Sequence, residues 1–128
     1  MAQSLSIVIP LFNEAEVLPL LIERLEGVLP ALPAQTEILI VDDGSSDGTR
    51  AALESAAATR AWLKLIFLSR NFGHQMALTA GMQYATGDLV AIIDGDLQDP
   101  PELIPDLVRE IEKGNDVVYA VRRTRQGS

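Results

Sequence analysis

Five short apolar runs, separated by stretches of helical spacing, leave this chain very few ways to fold. The runs span residues 5–10, 37–41, 63–68, 89–93 and 116–121 and are rich in Ile, Val and Leu. Between them lie an amphipathic stretch carrying Val17, Leu18, Leu21, Leu25 and Val28, an alanine-rich stretch 49–59, and stretches 73–86 and 101–113. Strands alternating with helices of this length predict an α/β fold, Rossmann-like, with a mostly parallel sheet and helices on both faces. Residues 1–128 read as one domain. Pro10 is expected to end the first strand, and Gly87 to cap the third helix at its C-terminus. Ala77, Ala80, Gly81 and Tyr84 are expected to share one side of that helix.

In a sheet of this kind ligands bind beyond the carboxyl ends of the strands. Those ends read Pro10-Leu11-Phe12-Asn13-Glu14, Asp42-Asp43-Gly44, Ser69-Arg70-Asn71-Phe72-Gly73 and Asp94-Gly95-Asp96. All are polar and three are acidic, whereas the opposite rim carries ordinary loop residues. Asp94 and Asp96, one residue apart on a turn, can both reach one hard divalent cation such as Mg²⁺ or Mn²⁺. Such a cation bridges carboxylates to a diphosphate and neutralises a departing one.

The charge balance agrees. Ten basic residues against 18 acidic give a net charge of −8, which argues against nucleic acid as a partner and for a metal between protein and phosphate. Without cysteine there is neither a disulfide nor a thiolate metal site. No apolar run is long enough to span a membrane, and residues 5–12 read as a strand rather than a signal peptide. The chain stops at residues 122–128, directly after a strand, and so reads as a fragment.

Several of these residues also have plain structural readings. Asn13 with Glu16 fits a capping box for the first helix, which leaves Glu14 open to a ligand role. Residues 43–54 nearly match a calcium loop, but a strand precedes them where an EF-hand needs a helix. Ser46 or Asp47 there reads as the cap of the second helix, leaving the adjacent acids Asp42 and Asp43 without a structural reason. Asp99-Pro100-Pro101-Glu102 is a helix start. His74 reads as a capping or packing residue, and Phe12 and Phe72 as core. Arg70 and the group Arg122, Arg123 and Arg125 read equally as solvated charges or as clamps on phosphate oxygens. Neither G-x-G-x-x-G after the first strand nor G-x-x-x-x-G-K-[ST] is present, which disfavours dinucleotide dehydrogenases and P-loop NTPases.

Taken together, residues 7–14, 41–49, 69–73 and 94–102 resemble the family 2 glycosyltransferases of GT-A fold. Within that family they are most similar to the branch that transfers sugars to polyprenyl phosphates, dolichol or undecaprenyl. The resemblance implies that Pro10, Leu11, Asn13 and Glu14 line a nucleotide pocket and that Asp43 contacts base or ribose. It further implies that Asp94 and Asp96 are the D-x-D motif holding Mg²⁺ or Mn²⁺, with Gln98 beside it and Arg122 near the phosphates. The implied reaction is inverting transfer of a sugar from a UDP- or GDP-sugar to a lipid phosphate, which is already anionic and needs positioning more than a strong base. The chain then corresponds to the donor-binding part, in the cytoplasm. Acceptor and membrane segments would lie further on, and an exposed sheet edge would favour self-association. A polysaccharide-building transferase of the same family and a non-catalytic nucleotide-sugar-binding module are the alternatives.

Overall fold

The computed structural model describes residues 4–96, 100–112 and 117–119. Its first strand, β1 (Leu5–Leu11), is buried along its whole length, as a strand covered on both faces must be. It is followed by α1 (Leu18–Val28), β2 (Thr36–Asp42), α2 (Thr49–Ala57), β3 (Leu63–Phe67), α3 (His74–Tyr84), β4 (Leu89–Ile92), α4 (Ile104–Glu112) and β5 (Val117–Tyr119). Short 3-10 turns, Leu29–Ala31 and Pro101–Leu103, follow α1 and precede α4. The strands form one sheet in the order β3-β2-β1-β4-β5, every pair parallel. The expected α/β architecture is therefore present.

Two apolar layers hold the sheet. On one face Ile7, Ile9, Ile38 and Ile40 meet Leu18, Leu21, Leu25, Leu53, Ile104 and Val108 from α1, α2 and α4. On the other, Val8, Val41 and Ile92 meet Ala77 and Leu78 of α3. Each fully buried Leu or Ile contributes about 1.5–3 kcal/mol relative to exposure. The rim at the strands' amino ends is knitted by polar contacts. Ser6 donates to Glu37 Oε2 at 2.6 Å, which also accepts from the Thr86 amide at 2.8 Å, while the Gly87 amide donates to Ser6 Oγ at 2.8 Å.

Several local expectations need correcting. β1 runs through Pro10 rather than ending there. Val8 accepts from Ile93 and so faces β4, and alternation turns Pro10 the same way. The β1–β4 pairing has already ended at Val8 opposite Ile92, so the missing N–H breaks no ladder bond. The first α-helix begins at Leu18 behind Val17, with no side-chain cap, so Asn13 and Glu16 form no capping box. The last residue of α3 is followed by Ala85 in extended conformation, so Gly87 is not its cap. A Cβ on Gly87 would stand 2.6 Å from the Ser6 amide nitrogen, and close strand approach is what requires glycine there. Tyr84 is exposed, and Ala77, Leu78 and Gly81 form the buried side of α3. Of the expected helix start at residues 99–102, Asp99 lies outside the described residues.

Candidate functional site

The strand order fixes where a ligand fits. From β1 the chain moves outward through β2 to β3, then crosses back by α3 to place β4 on the other side of β1. The switch point therefore lies between β1 and β4, and their carboxyl ends diverge beyond Val8 and Ile92. One wall carries Leu11, Phe12, Asn13 and Glu14; the other carries Asp94, Gly95 and Asp96. A Cβ on Gly95 would stand 2.9 Å from Leu11 Cβ and 3.2 Å from Ile9 Cγ2, so the residue between the two aspartates is held to glycine by packing. Gln98 and Arg122 lie outside the described residues.

Beyond the last β1–β2 pair, Leu11 opposite Asp42, the two loops stay joined by side chains. Asn13 takes a left-handed backbone, φ 54°, and its amide donates to Ser45 Oγ at 2.7 Å. The Ser46 amide returns a bond to Asn13 Oδ1 at 2.9 Å. The Glu14 amide donates to Thr49 Oγ1 at 3.1 Å and the Ala15 amide to Asp47 Oδ2 at 3.2 Å. Asp47 also accepts from the Thr49 amide, the first of α2, but the N-cap position is Gly48, with no side-chain cap, so neither Ser46 nor Asp47 is the expected N-cap. Hydrogen bonding by Thr49 leads the causes that hold its carboxyl below the usual range.

The adjacent acids at the end of β2 serve different partners. Asp42, buried, accepts from the Ser45 hydroxyl. Asp43, also buried, accepts from the amides of Phe72 at 2.8 Å and Gly73 at 3.0 Å and from Asn71 Nδ2 at 3.0 Å. It thereby fixes the β3–α3 loop. Arg70 on that loop lies over the Phe72 ring, 4.6 Å from its centroid. β3 is two strands from β1, roughly 10 Å away at the sheet. Phe12 and Phe72 are 41% and 40% exposed, so neither fills the core.

One residue that pattern reading set aside does face the aspartates. His74 begins α3, and because that helix crosses back toward β4 its Nε2 stands 3.9 Å from Asp94 Oδ1. Its side chain is 52% exposed against 19% for Asp94. The one signal in the sequence was its place on a strand-end loop.

Two properties of this rim decide what it can hold. First, its backbone amides at residues 13, 14, 15, 46, 49, 72 and 73 are all taken by the protein's own oxygens. A P-loop leaves such amides open to cradle phosphate; these seven are committed within the protein. Second, its carboxylates press on one another. Burial, then the charges of Asp96 and Asp47, push the Glu14 carboxyl above its ordinary 4.5. All-oxygen donors crowding negative charge suit a hard cation. Among the described residues no three His, Asp or Glu side chains are gathered to enclose an ion. That fits Mg²⁺-type binding, where one or two carboxylates act together with substrate phosphate and water.

Comparison with known proteins bears on the family of the chain. The profile of glycosyl transferase family 2 matches residues 6–128. The chain belongs to that family. It is 50% identical over 127 residues, 99% of its length, to an uncharacterised glycosyltransferase of Synechocystis, and covers 40% of that protein. It is 44% identical over 127 residues, 98% of its length, to an undecaprenyl-phosphate 4-deoxy-4-formamido-L-arabinose transferase of Klebsiella pneumoniae, covering 39% of it. Among solved structures it resembles a mannosyltransferase of Pyrobaculum calidifontis in complex with GDP-mannose and Mn²⁺. There the TM-score is 0.67 at 27% identity, over 85% of this chain and 32% of that one. The S. aureus TarS 1–349 crystal structure gives 0.64 at 25% identity, over 86% and 32%. The fold is thus that of the GT-A glycosyltransferases, and this family 2 chain spans about 40% of the length of the curated relatives it matches.

Proposed function

We propose that this family 2 chain is the donor-binding part of a glycosyltransferase that moves a sugar from a nucleotide diphosphate to a polyprenyl phosphate. The observation that carries the reading is the pair Asp94 and Asp96 at the end of β4, facing Glu14 across the switch point. The seven committed amides support it, since they leave phosphate charge on the β1, β2 and β3 loops to be met by other groups, a cation or arginine among them. A bound Mg²⁺ or Mn²⁺ would supply charge neutralisation for the leaving nucleoside diphosphate. Asp96 would be its chief protein ligand, with Asp94 toward the nucleotide and Gln98 beside them. Pro10, Leu11, Asn13 and Glu14 would form the nucleotide wall, and Asp43 with Arg70 the base side. Arg122 would stand near the phosphates.

In the reaction an oxygen of the acceptor phosphate forms a bond to the sugar's anomeric carbon as the bond from that carbon to the diphosphate breaks, with inversion. No proton need leave the acceptor, which agrees with a rim of carboxylates held for binding. The relative named for undecaprenyl phosphate supports this acceptor class, and the GDP-mannose and Mn²⁺ complex supports the donor and metal. Among the described residues no helix is long and apolar enough to cross a membrane. With a polyprenyl-phosphate acceptor, the reading puts the whole protein at the cytoplasmic face of a membrane.

The test is sugar transfer by the full-length protein from UDP- and GDP-sugars to undecaprenyl phosphate, with EDTA and with added Mn²⁺. Metal-dependent formation of the glycolipid is expected. Transfer to a growing polysaccharide instead would favour the other branch of the family. Donor binding without transfer or hydrolysis to any acceptor would make the chain a binding module.

A further inference from the structure

The side-chain ties between the β1 and β2 loops point to a role for Asn13 that differs from lining the pocket. Its amide, its side-chain oxygen and its left-handed backbone all serve one neighbouring loop, 32–33 residues away. Ser45 Oγ, which accepts the Asn13 amide, donates in turn to Asp42 at the buried end of β2. Asn13 is thus joined to the sheet through Ser45, while Glu14 and Ala15 are joined to Thr49 and Asp47 at the start of α2.

The wall these ties hold ends in Glu14, which stands within the field of Asp96 across the switch point. We infer that Asn13 is a positioning residue for the donor site: it locks the Leu11–Glu14 wall to the β2 loop and acts on the nucleotide through that wall. This rests on the donor-site reading above and adds that the contribution of Asn13 to binding depends on Ser45. A residue that touched the ligand itself would contribute independently.

The experiment is a double-mutant cycle on nucleotide affinity, with UDP and GDP titrated in the presence of Mn²⁺ into wild type, Asn13→Gly, Ser45→Ala and the double variant. Glycine keeps the positive φ at no steric cost and removes the side-chain amide, and with it the acceptor of the Ser46 N–H. Each single variant is expected to weaken binding about five- to tenfold, the scale of one hydrogen bond. The double variant is expected to be little worse than either, because each opens the same junction between the two loops, Asn13→Gly by removing the acceptor of the Ser46 amide and Ser45→Ala by removing the acceptor of the Asn13 amide. Hydrogen exchange read without nucleotide should show the Ser46 amide opening faster in Asn13→Gly while the Ile7 and Ile38 amides of the sheet stay protected, which confirms a folded variant. Single effects that multiply in the double variant, or Asn13→Gly binding like wild type, overturn the inference and leave the donor site standing. A wild type that binds neither nucleotide overturns both.

Discussion

Gly95 separates Asp94 from Asp96, and the packing beneath it explains why nothing larger stands there. A methyl group would be driven against Leu11 Cβ and Ile9 Cγ2, both on the buried strand β1. Gly95→Ala is therefore expected to cost about 1–3 kcal/mol in urea unfolding, the usual range for overpacking. It should also weaken cation-dependent nucleotide binding, because relief requires the turn to move away from β1. Stability equal to wild type would show that the turn already has room. At this scale the sequence was legible where position follows from strand ends: Glu14, Asp94 and Asp96 were readable as sharing one rim. It was not legible where a residue's partner is distant. Asn13 looked like a helix cap because a capping motif is local, whereas its partners are Ser45 and Ser46 on another loop. His74 reaches Asp94 only through the path of α3 across the sheet.

At the scale of elements, α3 is the crossover that creates the switch point, and it lies close on the sheet. A Cβ on Gly81 would stand 2.4 Å from Val8 Cγ1 and 3.1 Å from Val41 Cγ2. Alanine is the better helix former by about 1 kcal/mol, yet Gly81→Ala is expected to destabilise by about 1–3 kcal/mol because overpacking wins. Pairing it with Val8→Ala should recover part of that loss, and a double variant no better than the sum of the two would argue against this contact. The amino-end rim offers a pH test. Burial pushes the Glu37 carboxyl up, but hydrogen bonds from Ser6 and Thr86 and the charge of Lys64 outweigh it and leave it below its ordinary 4.5. A depressed carboxyl stabilises the fold above its unfolded value and loses that stabilisation as pH falls through its folded value. Wild type should thus exceed Glu37→Gln in stability at neutral pH, the gap closing below pH 4.5. A gap that is constant with pH would assign the loss to packing alone. Element order and the buried faces were readable because buried strands must be apolar runs. Element ends were less so: the first strand passes through Pro10 because β4 has by then turned away.

For the molecule as a whole, net charge and site chemistry have to be reconciled. A chain of net charge −8 with Glu14, Asp94 and Asp96 at its switch point is expected to take a nucleoside diphosphate more readily when a cation comes with it. The measurement that reaches this claim most directly is calorimetric titration of UDP and GDP, each with and without Mn²⁺, into wild type and Asp96→Asn. One nucleotide binding only with Mn²⁺, and losing that dependence in the variant, is the expected result. Equal binding with and without the metal, or an Asp96→Asn variant that binds like wild type, would contradict a donor site built on a carboxylate-held cation.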